Sequence, residues 1–336
     1  MHNRADASER VVAIDIARGL AIIGMFVAHA IPRLSDAELL ADGRSSILFA
    51  TLAGVSLGIM TGSQHPLARG QRSKRVTGIV VRALFLFLLG IVLASLQSGV
   101  AVILHFYALM FLLLIPMLFL QRWLIALIGV VFLFGAPLLG AAQDEVDAAR
   151  PPLAYLVDYF FLNGTYPVLI WMPFLLAGLM IARSDLGSAK TQVALVGAGT
   201  AAVVAGYGAA IVLPGVNAAA HSGSIAEVIG SGGVAVALLG TLLWLTAVRR
   251  RSVARALRVI LWPVGATGQM ALTVYTLQIL ALAVIAGSAE IDYPGWPLLI
   301  GMLLITFIGA SLWRYFLGKG PLERLLAALA RAPRFR

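Results

Sequence analysis

Ten apolar runs of about 20 residues each constrain this chain more than any other feature. They lie near 15–32, 46–63, 77–96, 101–120, 123–142, 167–183, 193–213, 226–248, 268–287 and 297–317. A helix of about 20 residues rises through the roughly 30 Å hydrocarbon core of a bilayer. The alternating segments of about 10 residues that a membrane β-barrel needs are absent. Of 336 residues, 60% are hydrophobic and 12% charged, too little polar surface to cover a water-soluble domain of this size. The expectation is an all-α polytopic membrane protein of about ten transmembrane helices. Without internal repeats or low-complexity linkers, residues 1–336 read as one membrane domain with a tail at 318–336. The eighth and ninth runs are the least regular: "SGSIAEVIGSGGVAVALLG" is rich in glycine, and "LWPVGATGQMALTVY" is broken by Pro263, Gly265 and Gly268. Such breaks survive at membrane depth where neighbouring helices or water satisfy the backbone.

Charge predicts the orientation. With the amino terminus inside, the clusters "ARGQRSKR" (68–75) and "RRRSVARALR" (249–258) and the tail "GKGPLERLLAALARAPRFR" all fall in the cytoplasm. Of the 25 basic residues, Arg33, Arg44 and Arg150 fall outside, as does the acidic loop "QDEVDAAR". This asymmetry predicts that both termini are cytoplasmic, in a cell (inner or plasma) membrane. The net charge of +10 is then a topology and lipid-headgroup signal, and nucleic acid is not needed as a partner. Leu322, Leu325, Leu326 and Leu329, interleaved with Arg324 and Arg331, predict an amphipathic helix on the inner surface. Asp6, Glu9 and Asp15 spoil the positive region of a cleavable leader, so the "AHA" at residues 28–30 reads as the end of a retained span. With no cysteine, disulfides, thiolate metal sites and a cysteine nucleophile are all excluded. No nucleotide-binding glycine loop, zinc-ligand spacing or serine-nucleophile elbow occurs.

The first span, "IDIARGLAIIGMFVAHA" (14–30), carries ionisable groups that cost several kcal/mol at membrane depth unless they face protein or water. Eleven residues separate Arg18 from His29, and 11 steps of about 100° return to nearly the same helix face. The separation is roughly 16 Å along the axis, from the cytoplasmic boundary into the outer half. Asp15, three residues before Arg18, is spaced to pair with it. One stripe thus joins an inner cation to an outer imidazole.

At these residues the sequence resembles the transmembrane acyltransferase superfamily. "DIARGLA" followed by His29 is similar to the first-helix motif of the acyltransferase-three branch. The heparan-α-glucosaminide N-acetyltransferase-like and YeiB-like proteins resemble more of the chain, through "LFATLAGVSLGI" (48–59), "ILHFYALM" (103–110), "WMPFLLAGLMIAR" (171–183), "GQMALTVYTLQ" (268–278) and "GPLER" (320–324). The resemblance implies transfer of an acyl group, acetyl above all, from cytoplasmic acyl-CoA to an extracytoplasmic glycan, lipid or small molecule. One departure stands out. The lysosomal sugar acetyltransferases carry a catalytic histidine after the first span, and the matching stretch "PRLSDAELLADGRSS" has none. His29 then takes that role, as in the acyltransferase-three pattern.

The expected catalytic residues are His29 and His105, which the topology puts at similar depth, each about one turn below the outer surface. A structural reading, in which His105 only bonds a neighbouring helix, stands beside the catalytic one. Asp15, Arg18, Arg75 and Arg82 are the expected donor-binding residues. The last two echo the basic pair at the third-helix entrance of the acyltransferase-three branch, and guanidinium groups suit the phosphates of coenzyme A. Arg69, Arg72 and Lys74 join them in that cluster, with simple positive-inside anchoring as the alternative. Asp158, Tyr159 and Trp171 are candidates for an acceptor pocket, with aromatic-belt packing as the alternative for the last two. Gln269, Thr273, Tyr275 and Gln278 either line a channel or bond helix to helix. No metal is expected. The partners are membrane lipids, acyl-CoA and the acceptor, with a homodimer left open. A transporter or exporter of a small molecule or lipid, using the same polar cavity, is the competing reading.

Overall fold

The computed structural model describes residues 2–32, 38–141, 151–247, 256–257, 259–288 and 295–331, with side chains in the first helix from Val12 onward. The basic residues of 249–258, the acidic loop 143–150, Arg33 and the tail beyond 331 lie outside the described residues. All described elements are helical. In chain order they are α1 (His2–Ala30), α2 (Arg44–Met60), α3 (Arg69–Ser95), α4 (Leu104–Leu114) with a 3-10 turn (Ile115–Met117), α5 (Arg122–Ala141), α6 (Pro152–Asp158) with a π turn (Tyr159–Asn163), and α7 (Val168–Ala182). The remaining elements are α8 (Ala189–Val212), α9 (Ile225–Thr246), α10 (Trp262–Gln269), α11 (Ala271–Gly287), α12 (Trp296–Phe316) and α13 (Pro321–Leu329).

Among the described residues, six helices are long and apolar enough to cross a membrane, or eight if each bent pair counts as one span. The bent pairs are α6 with its π turn followed by α7, angled by 42°, and α10 followed by α11, angled by 85°. Two of the ten expected runs, α2 and α4, form shorter apolar helices. The expected ninth span starts earlier than its apolar run, at Trp262, and breaks at Met270. The chain is a multi-pass, all-α membrane protein.

Glycine decides how closely the central helices approach. Gly19 of α1 meets the carbonyl of Val264 in α10, and Gly268 of α10 meets the carbonyl of Asp15. A β-carbon at either place would occupy the other helix's backbone. Gly54 and Gly178 bring α2 and α7 together in the same way, running parallel. The glycines that interrupt the eighth run have a similar use. Gly230, Gly233 and Gly240 of α9 face Gly206, Gly199 and Val196 of antiparallel α8, a small-residue seam that lets two apolar helices pack backbone to backbone.

Polar side chains finish the helices where they break. Glu323 of α13 accepts from the amides of Leu272 and Thr273, at 2.8 and 3.1 Å, and from the Thr273 hydroxyl at 2.6 Å. It thereby caps the first turn of α11 at the 85° bend, where amides have no helical partner. The predicted amphipathic tail helix forms, with Leu326 turned into the protein and Leu325 and Leu329 exposed. Arg183, 4% exposed, closes the end of α7. Its guanidinium donates to the carbonyls of Gly58, Ser63 and Leu118 and to the Thr61 hydroxyl, tying together the ends of α2, α4 and α7.

Gly268→Ala forces α1 and α10 apart and should cost about 1–3 kcal/mol of stability, the range for overpacked contacts. Gly197 of α8 has open space where its β-carbon would go, and Gly197→Ala should be neutral or stabilise by up to about 1 kcal/mol. Thermal unfolding in detergent of the two variants against the parent checks both signs.

Candidate active site

The stripe predicted on α1 lines cavities at both ends of the helix. At the Arg18 end a cavity of about 430 Å3 is walled by Asp15, Arg18, Ser56, Arg82 and Glu323 among largely apolar neighbours. At the His29 end lie two further cavities, of about 280 and 590 Å3, which share Ala28, His29, Tyr166 and His221. Met25 lines both the Arg18-end cavity and the smaller of the His29-end pair. One side chain of α1 therefore stands between the two compartments.

At the Arg18 end the predicted ion pair is present. Arg18 Nη1 donates to Asp15 Oδ1 at 3.0 Å, and Nη2 donates to Ser56 Oγ of α2 at 2.6 Å. The pair is bonded further by Gln269 of α10, and Arg314 lies within electrostatic reach of Asp15. Arg82 lines the same cavity from α3, its Nε buried without a partner. Arg75, one heptad earlier, is exposed and does not line this cavity. Arg72 is held locally, donating to the Leu67 carbonyl and lying 4.6 Å over the Phe119 ring.

At the other end, His29 Nδ1 lies 2.7 Å from Gln278 Nε2 of α11. Gln278 is buried, and its Oε1 has no partner. This contact joins the two candidates that are farthest apart in the chain. Glu38, Asp42, Ser45 and Ser46 line the smaller cavity with His29, whereas Gly99, Val100 and Ala101 line the larger one. Tyr107, fully buried, donates to the Ser46 carbonyl at 3.0 Å, and Tyr275 accepts from the Ile103 amide at 3.3 Å.

His105 begins one turn beyond that Gly99–Ala101 wall, but its ring is not among the side chains lining these three cavities. It packs beside Gly90, bonds that residue's backbone, and meets the rings of Phe106 and Phe160, while its Nδ1 has no partner. The imidazole that joins His29 is His221, from the loop between α8 and α9. Asp158 is buried and takes a bond from Asn163 at 2.8 Å inside the π turn, and Trp171 is buried behind His221.

Sequence reasoning passed over His221 because nothing local marks it. The signal that existed was Ser224 with Glu227 three residues on, the spacing of a capping box. Ser224 Oγ does accept from the Glu227 amide at 2.9 Å, but the Glu227 carboxylate reaches past it. It accepts from the His221 amide at 2.6 Å and the Gly223 amide at 2.8 Å, and so fixes the whole loop. Ser56 and Glu323 were missed for the same reason: each acts on a helix distant in sequence. Among the described residues, no three His, Asp or Glu side chains are placed to hold a metal ion.

The sequence matches the family described as heparan-alpha-glucosaminide N-acetyltransferase, catalytic, over residues 10–209. Neither a curated protein nor a solved structure matches the chain. The match covers more than half of the 336 residues, from the start of the α1 stripe through α8, including Asp15, Arg18, His29 and Arg82. By that match the chain belongs to the heparan-α-glucosaminide N-acetyltransferase catalytic family, a family of membrane acetyltransferases.

Proposed function

We propose that this protein moves an acetyl group from cytoplasmic acetyl-CoA to an acceptor on the far side of a cell membrane, a glycan, lipid or small molecule. The observation that carries this reading is the shared wall at Met25. A cation-lined cavity and an imidazole-lined cavity meet along one face of one helix. Family membership supports the class of reaction, and the placement of charge supports the direction. Arg72, Lys74, Arg75, Arg82 and Arg183 gather at the Arg18 end with Glu323, while Glu38, Asp42, Asp158 and Glu227 sit toward the His29 end with Arg44. The positive-inside rule makes the Arg18 end cytoplasmic and turns both termini inward.

The residues at the Arg18 end fit the donor. A cavity of about 430 Å3 lies within the usual range for small-molecule sites, and its walls are mostly apolar, as an acyl-pantetheine arm requires. Arg18 and Arg82 at its polar edge suit the phosphates, and the exposed Arg75 face of α3 is open to the nucleotide end. The arm then runs outward past Met25 towards His29. Gln278 engages His29 at Nδ1; with its amide turned so that the unpartnered Oε1 accepts from Nδ1–H, Nε2 holds the lone pair and serves either as general base or as transient acyl carrier. His105 packs behind the wall of the outer cavity and contributes less.

Orientation has a clean test because the chain lacks cysteine. Leu40→Cys should react with an impermeant thiol reagent on intact cells, and Ser73→Cys only after the inner face is exposed. The opposite pattern would reverse the direction of transfer.

Arg18→Ala and Arg82→Ala should each weaken acetyl-CoA binding by about 1–3 kcal/mol, the range for a charge-assisted bond. Arg18→Ala also strips Asp15 of its cation, so folded yield is measured alongside. Unchanged affinity in folded protein would remove these residues from the donor site. His29→Ala should abolish acetyl-CoA turnover while sparing expression and donor binding, and His105→Ala should lower turnover less. A His29→Ala protein that is unstable yet fully active would return the α1 motif to a structural role.

A further inference from the structure

We propose that His221, in the loop between α8 and α9, is the base on the acceptor side of the reaction, which assigns His29 to carrying the acyl group. This rests on the acetyltransferase reading above and divides its chemistry between two residues. His221 lies beyond residues 10–209, the part of the chain that the family match covers.

Three independent observations converge on it. First, it lines both His29-end cavities together with His29 and Tyr166, and it does not line the Arg18-end cavity. An acceptor entering from that end meets both imidazoles, whereas a donor arriving along α1 meets His29 first. Second, the ring is held by aromatic faces: it stacks on Trp171 at 6.1 Å and 21°, and meets Tyr166 edge to face at 5.3 Å. Third, the backbone is held by carboxylates. Glu227 accepts from the amides of His221 and Gly223, and Glu38 accepts from Ala220 at 2.6 Å. His221 itself has φ of +62°, a left-handed conformation that side chains other than asparagine, aspartate and histidine seldom adopt. The buried Glu227, the stacked Trp171 and the edge-on Tyr166 together hold this histidine at the cavity wall.

The step balances as follows. With the Gln278 amide turned so that Oε1 accepts from His29 Nδ1–H, the His29 Nε2 lone pair attacks the thioester carbonyl, the carbon–sulfur bond breaks, and coenzyme A leaves as its thiolate. The acceptor hydroxyl or amine then attacks the acyl-imidazolium and gives its proton to a His221 ring nitrogen as the carbon–nitrogen bond breaks. His29 returns neutral, and the proton passes from His221 to solvent while the thiolate takes one up. The charged groups facing this pair are Glu38 and Asp42 from the segment before α2; Tyr166 lines the same cavity, and Gln278 on α11 is neutral.

The test uses the full-length protein in detergent with acetyl-CoA and two nucleophiles, water and hydroxylamine. Water must lose a proton as it attacks, whereas hydroxylamine attacks as a neutral amine. His221→Asn keeps the left-handed backbone, and His221→Gly provides a second variant in which that backbone is unstrained. Each should retain a burst of about one coenzyme A thiol per protein. Steady-state hydrolysis should fall by about 100-fold or more, the usual contribution of a general base, and hydroxylamine should restore most of it. His29→Ala should show no burst with either nucleophile. Hydrolysis at the parent rate in both His221 variants would overturn the assignment. So would a loss that hydroxylamine leaves untouched, since that marks a structural role. If the parent itself releases no coenzyme A with either nucleophile, the acetyltransferase reading fails, and this inference fails with it.

Discussion

The site depends on two helices touching without side chains between them. At Gly19 and Gly268, α1 and α10 approach until each lies against a carbonyl of the other. That contact fixes the axial position and rotation of α1, and α1 carries Asp15, Arg18, Met25 and His29 on the faces that line the cavities. A helix free to slide or turn could not keep a cation in one compartment and an imidazole in the other. The same contact explains why the apolar run after α9 is broken. α10 packs on α1, and the chain then turns through 85° into α11, which brings Gln278 to His29.

Breaking helices inside a membrane exposes amides and carbonyls that lipid cannot satisfy. Charged side chains close the 85° bend and several other helix ends. Glu323 covers the amides that open α11, Arg183 covers carbonyls near the ends of α2 and α4, and Glu227 covers the loop that opens α9. These residues come from elements far apart in sequence, so they also lock the bundle. Two of them border the compartments. Glu323 lines the Arg18-end cavity, and Glu227 holds the loop that carries His221 over the other. The charges that make irregular backbone tolerable thus also shape the site.

What could be read from the sequence was what local periodicity encodes. The three-residue spacing of Asp15 and Arg18 gave an ion pair at 3.0 Å, and the eleven-residue spacing to His29 gave a stripe that reaches cavities at both ends. The apolar runs located every long helix. Long-range pairing was not legible. Nothing near Gln278 announces a contact 249 residues away, and nothing in "NAAAHSGS" says that the loop folds back over α1. Glycine misled in a consistent direction. Those of the eighth run looked like interruptions of a span, yet they form its contact with α8, because closeness between helices is a property of the pair. For His105, the similar depth expected from topology does not bring it into the same cavity. Its ring turns to Gly90, Phe106 and Phe160, while the companion of His29 comes from a loop 192 residues further on.

The central claim is that α1 spans from donor site to acceptor site, with the acyl group delivered past Met25 to His29. A density map of the protein bound to a non-hydrolysable acetyl-CoA analogue tests it most directly. The account predicts phosphates beside Arg18 and Arg82, the pantetheine arm along α1, and the acyl carbonyl within contact of His29. An analogue lying with its acyl end away from His29, or entering from the Glu38 and Asp42 side, would contradict it.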